Sequence, residues 1–182
     1  ALGPLAWIAW RHRRATPAAR LAALTLLTLF LTFDLVLFGA FTRLSDSGLG
    51  CPDWPGCYAS ATPIGARDAI QSAQDAMPTG PVTHVKAWIE MVHRYLATAV
   101  GALITVLAVW SWIESRRSRS PADVSPWWPS ATLVWVCLQG AFGALTVTMK
   151  LYPAIVTLHL LGGLALIALL AVQSQRYRLA GG

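Results

Sequence analysis

The sequence predicts an all-α integral membrane protein built as a four-transmembrane-helix bundle, and three observations carry that prediction. Of its 182 residues, 55% are hydrophobic and only 12% charged, a balance foreign to soluble globular domains. Four continuous apolar stretches, residues 21–41, 87–113, 127–149 and 154–172, each come near the roughly 20 residues that cross a bilayer as a helix. Alternation with period two is absent from them, which excludes a strand barrel.

The third observation is where the charge lies. The net charge is +6, which in a soluble chain would point to nucleic acid. Here Arg11, Arg13, Arg14 and Arg20 precede the first span, Arg116, Arg117 and Arg119 fill the link between the second and third, and Arg176 and Arg178 follow the fourth. All three clusters fall on one side, cytoplasmic by the positive-inside rule, so residues 42–86 form an outer loop and residues 150–153 an outer turn. No soluble domain remains to carry a basic surface, so no nucleic-acid partner is expected. The chain is therefore expected to cross a membrane several times.

Residues 1–10 are apolar but too short to span, and their arginines follow rather than precede them, unlike a signal peptide. Residues 1–19 are therefore expected to be the cytoplasmic end of a truncated preceding helix plus a basic linker. The four-helix domain is then residues 20–182. The first span stops at a turn cluster holding Ser45, Asp46, Ser47, Gly48 and Gly50. Pro153 opens the fourth, where its missing amide proton costs little. Trp54, Trp88, Trp110, Trp112, Trp127, Trp128 and Tyr152 lie near span ends, as an interfacial belt would.

His93 and His159 lie inside the second and fourth spans. An ionisable ring in hydrocarbon is costly unless it faces a partner. Counted from Lys86 and Pro153, the two sit roughly 9 to 11 Å deep at 1.5 Å per residue. Equal depth suits two axial ligands to one heme iron; the alternative is two separate histidines, each hydrogen-bonded across a helix contact. Glu90, three residues before His93, projects from the neighbouring turn of the same face and could stand beside a ligand held there. Asp34 qualifies as a further intramembrane acid, either protonated or paired, and could belong to a proton path.

Cys51 and Cys57 bracket a segment with two prolines in the outer loop and most simply close a small disulfide loop, though an exposed disulfide can also exchange thiols. Cys137, in the third span, is expected to pack as a small apolar residue. Arg43, Lys86 and Arg94 sit at the outer boundary, where heme propionates or lipid headgroups would meet them. His84, in the loop before the second span, could add a hydrogen bond or a replacement ligand. Small residues at Ala97 and Gly101, Gly140 and Ala144, and Gly162 and Gly163 serve helix packing or leave room for a ring system. A short echo, Gly39-Ala40-Phe41 against Gly140-Ala141-Phe142, fits two hairpins with quasi-symmetric ligands.

The runs FGAFTRLSDSGLGCPDWPGCY (residues 38–58), GPVTHVKAWIEMVHRYLA (80–97) and QGAFGALTVTMKLYPAIVTLHLLGG (139–163) cover about a third of the chain and closely resemble heme A synthase of the proteobacterial type. The resemblance implies the amino-terminal, substrate-heme half of a two-half membrane oxidoreductase. Such an enzyme oxidises a methyl group of heme O to the formyl group of heme A for cytochrome oxidase, with heme b in the absent second half. It implies His93 and His159 as ligands of heme iron, Glu90 as the acidic residue beside the reacting ring, and Cys51 with Cys57 as the outer-loop pair. Membrane lipid, heme O, the heme O synthase that supplies it, cytochrome oxidase assembly and a second copy of the chain are the expected partners. Other readings of the same residues are a cytochrome b-like electron carrier and a heme-binding assembly scaffold.

Overall fold

The structure is a computed structural model that describes residues 16–117 and 124–181; the expected truncated helix lies outside them, as does Arg119. Five helices appear among the described residues: α1 (Pro17–Leu44), α2 (Arg67–Ala76), α3 (His84–Arg117), α4 (Trp127–Thr148) and α5 (Pro153–Gly181). Four of them, α1, α3, α4 and α5, are long and apolar enough to cross a membrane, which bears out the all-α membrane prediction. Pro153 does open α5. Helices α1, α3 and α5 run several residues past the apolar stretches that mark them, taking in Arg43, Arg116, Arg117 and Arg178. Long basic side chains can leave the hydrocarbon while their backbone stays helical. His84, expected in a loop, is for the same reason the first residue of α3, and the outer loop contains the short helix α2.

The chain divides into two compact units, and each long helix contributes to both. In the first (residues 16–33, 100–117, 124–137 and 164–181 of those described), Leu21, Leu24, Leu107 and Tyr177 lie in one apolar cluster. Threonines at 25, 28 and 32 form a buried stripe on α1, spaced to share one helix face. Thr28 and Thr32 donate back to the carbonyls of Leu24 (2.8 Å) and Thr28 (2.7 Å). Gln173 of α5 bridges the first stripe member to α4: its amide donates to Thr25 Oγ1 at 3.3 Å and its oxygen accepts from Thr132 Oγ1 at 3.1 Å. Ser111 of α3 and Tyr177 of α5 share a hydrogen bond of 2.6 Å. With apolar association weak in lipid, such interhelical polar contacts are what tie helices together. Trp112 and Trp128 are held by hydrogen bonds to Ser130 Oγ (2.9 Å) and the Leu169 carbonyl (3.0 Å).

The second unit (residues 34–99 and 138–163) holds the outer loop and both singled-out histidines. Ile70 of amphipathic α2 is fully buried with Ala66, Ala87, Met91 and the two loop cysteines. That cluster seats the loop on the first turns of α3. Gly50 makes the approach close, because a Cβ there would stand 2.4 Å from the Lys86 carbonyl carbon.

The expectation for Cys137 is corrected. The thiol is exposed on α4 and so is not packed inside the bundle; Asp34 is also exposed, on α1. A helix in lipid turns apolar residues outward, and a small thiol is tolerated on that face.

Candidate functional site

Each histidine ring lies against a glycine of a neighbouring helix. His93 of α3 packs on Gly39 of α1, where a Cβ would come within 2.9 Å of the ring's Cε1. His159 of α5 packs on Gly143 of α4 in the same way, with a Cβ reaching 3.4 Å from its Cε1. Phe38 lies nearly parallel to the His93 ring, at 14° and 6.2 Å between centroids. Both rings belong to the second unit, and the Nδ1 atoms of both are buried without a hydrogen-bond partner.

These contacts move the internal echo by three residues. The counterpart of Gly39 is Gly143, not Gly140, beside which a Cβ would meet nothing within 4 Å. The better alignment is Phe38-Gly39-Ala40-Phe41-Thr42 with Phe142-Gly143-Ala144-Leu145-Thr146, and the backbone repeats with it. Ser47 N–H donates to the Thr42 carbonyl at 2.9 Å, and Leu151 N–H to that of Thr146 at 2.7 Å. Asp46 and Lys150 both take positive φ, 53° and 49°, the left-handed turn by which helices end. The two helix ends are thus built alike, each with a glycine one turn before the threonine to receive an imidazole. The small-residue positions also sort themselves: Gly162 receives Gln139 and Gly163 meets Val36, whereas a Cβ on Gly101 would stand in open space.

Glu90 is buried, and its carboxylate is fully engaged. Oε2 accepts from Cys51 N–H at 2.8 Å, and Oε1 accepts from Arg94 Nη2 in an ion pair one turn along α3. Arg94 in turn donates through Nη1 to the carbonyls of Asp53 (2.9 Å), Pro55 (3.2 Å) and Gly56. Glu90, His93 and Arg94 therefore occupy successive positions around one turn, and the outer two grip the cysteine loop. Cys51 and Cys57 are joined as a disulfide. Asp53 closes the same loop by accepting from the N–H groups of Tyr58 (2.6 Å) and Ala59 (2.7 Å), and Tyr95 donates to the Ala61 carbonyl at 2.7 Å. Glu90 lies one turn before His93 on α3, but its loop partner Cys51, 39 residues away along the chain, left no sequence signal.

Of the three boundary cations, Lys86 pairs with Asp46 at 2.9 Å and also donates to the Gly80 carbonyl at 3.2 Å. Its ammonium holds the Asp46 carboxyl below the usual 3.8, so the pair is intact at neutral pH and weakens only as pH falls through that lowered value. Arg94 serves the loop, and Arg43 is exposed in the last turn of α1. His84 shares a hydrogen bond of 3.0 Å with the Gln71 side chain, binding α3 to α2.

Removing the disulfide by Cys51→Ser with Cys57→Ser is expected to cost about 2 kcal/mol, the chain-entropy value for so short a loop. It should be read as a lowered thermal midpoint with the helical content unchanged. No change in midpoint would mean that Arg94 and Asp53 alone hold the loop.

The donor set decides what the histidines could hold. Among the described residues no group of three or more His, Cys, Asp or Glu side chains is placed to hold a bare metal ion. Two imidazoles suffice for a porphyrin iron, whose other four ligands come from the ring. The buried, unpartnered Nδ1 atoms and the two glycine seats fit such a group. Two grooves of about 350 and 440 Å³ in the first unit are lined by residues such as Trp112 and Trp128 and contain neither histidine nor carboxylate.

A family model described as "Cytochrome oxidase assembly protein" (COX15-CtaA) matches residues 22–180. The chain is 42% identical over 152 residues to a protein named heme A synthase from Shewanella oneidensis, covering 84% of this chain and 44% of that protein. It is 29% identical over 154 residues to a heme A synthase of Alkalihalophilus pseudofirmus, with the same two coverages. A third, from Bartonella quintana, is 33% identical over 103 residues, 50% of this chain and 29% of that protein. The chain thus spans less than half the length of these relatives. No solved structure matches it significantly.

Proposed function

Because the chain belongs to the COX15-CtaA family of cytochrome oxidase assembly proteins, we propose that it is the amino-terminal, substrate-heme half of a heme A synthase. On this reading it holds heme O for oxidation of a ring methyl to the formyl group of heme A. One observation carries the reading: two imidazoles from different helices of one unit, each seated on a glycine, with a buried carboxylate one turn from the first.

His93 and His159 bind and orient the porphyrin through its iron. Glu90 supplies fixed negative charge beside it, favouring positive charge that develops at the carbon being oxidised. Its orientation comes from Arg94 and Cys51, so the disulfide loop serves the site by holding the acid. Of the boundary cations, Arg43 is the one we assign to a propionate, since Lys86 and Arg94 are engaged with Asp46 and the loop carbonyls. The remaining length of the relatives is where a second histidine pair and heme b belong.

The same reading sets the protein in a bacterial inner membrane, with the disulfide loop in the oxidising periplasm and Arg116, Arg117, Arg176 and Arg178 toward the cytoplasm. Heme O synthase is its supplier, and lipid and a second copy of the chain are its neighbours. The test is to express the full-length protein in cells that make heme O, then extract and chromatograph the hemes. Heme A is expected. Bound heme with heme O as the only other extractable product would mean an electron carrier instead.

A further inference from the structure

Gln139 of α4 is the polar side chain that the site leaves unexplained. It is only 8% exposed, and its Oε1 has no hydrogen-bond partner. His159 Nδ1 is likewise buried and unpartnered. A carboxamide oxygen can only accept, and a neutral imidazole carries one N–H to donate. The two orphaned atoms are therefore complementary.

The two atoms are not bonded to each other in the structure, but helix geometry brings the two side chains to the same helix pair. The His159 ring rests on Gly143, one turn beyond Gln139 on α4, while the Gln139 carboxamide rests on Gly162, one turn beyond His159 on α5. Each side chain uses the glycine of the opposite helix. A Cβ on Gly162 would stand 2.6 Å from Gln139 Cδ and 3.0 Å from Oε1, so the amide occupies the notch that the glycine leaves. Both side chains lie between the same two helices within the second unit.

We propose that Gln139 is a positioning residue for His159: its carboxamide oxygen accepts the Nδ1–H, which fixes the tautomer whose Nε2 faces the iron. A metal-bound histidine is oriented, and made more basic, by a hydrogen bond from its other nitrogen. The rival acceptor is the Gln139 main-chain carbonyl, which also neighbours the imidazole. A side-chain substitution leaves that carbonyl in place. The inference rests on the reading of His159 as a heme ligand.

The test is a spectroscopic redox titration of the full-length, heme-loaded protein, following the heme whose spectrum changes in His159→Ala. Gln139→Met keeps the volume and removes the acceptor. It is expected to shift the Fe(III)/Fe(II) partition about tenfold toward Fe(II), 59 mV for a one-electron couple, because a less basic imidazole stabilises Fe(III) less. Gln139→Glu retains a carbonyl oxygen and should return the potential to the wild-type value or below it. Gln139→Leu gives the same readout if the methionine variant does not accumulate. Wild-type potentials in the variants lacking the acceptor, with His159→Ala still altering the spectrum, would overturn the proposal alone. A spectrum indifferent to His159→Ala would overturn the ligand reading beneath it.

Discussion

Glu90→Ala is expected to yield a protein that still binds heme but accumulates heme O or a hydroxylated product in place of heme A. The carboxylate accepts from Cys51 N–H and Arg94, and the Nδ1 atoms of both histidines are without a hydrogen-bond partner. Its removal therefore leaves both imidazoles in place while deleting the carboxylate one turn before His93. It also strands a guanidinium only 12% exposed at its side chain, and breaking a buried pair from one side costs about 3 kcal/mol. Here the three loop carbonyls that Arg94 keeps offset part of that. Glu90→Gln separates the two effects: an amide retains an acceptor for Cys51 and keeps the loop docked, but carries no charge. Extracted hemes should show both variants impaired in product, with only the alanine variant less stable. Undiminished heme A from Glu90→Ala would remove Glu90 from the chemistry.

Gly39→Val should abolish heme binding at His93 and His159, and Gly39→Ala should weaken it. Even the first added carbon meets the His93 ring at 2.9 Å, closer than side-chain carbons approach, so the imidazole must tilt or the helices part. Overpacking of this kind costs about 1–3 kcal/mol before any loss of ligation. Gly143→Ala, at 3.4 Å from His159, should act in the same direction but more mildly. Gly140→Ala, with open space beside it, should change nothing. The heme-to-protein ratio of the four purified variants gives the comparison. Equal ratios for Gly39→Val and Gly140→Ala would show that the glycine seat does not govern ligation.

Much of this was legible in the chain because hydrocarbon is a simple solvent. Continuous apolar runs located α1, α3, α4 and α5, and the cost of burying an ionisable ring singled out His93 and His159. The misses have physical causes. Hydropathy stops where charge begins, whereas the backbone continues helical while arginines reach for water, so His84 and Arg43 were left in the loop. The outer loop's docking depends on hydrogen bonds from Arg94 to main-chain carbonyls 38 to 41 residues away in sequence, and carbonyls carry no residue signature. The echo was aligned on three identical letters, but the seat for a ring depends on which glycine faces the neighbouring helix. That distinction chose Gly143 over Gly140. Gln139 stood within a quoted motif, yet nothing in the letters marks an amide whose oxygen is buried without a partner.

If one heme iron is held between His93 and His159, low-temperature electron paramagnetic resonance of the oxidised full-length protein will register the loss of either ligand. One low-spin component of bis-histidine type should be lost, with a high-spin signal gained, in His93→Ala and in His159→Ala alike, while the component from the second histidine pair remains. Low-spin intensity that stays undiminished, with no high-spin signal gained, in both variants would rule that ligation out.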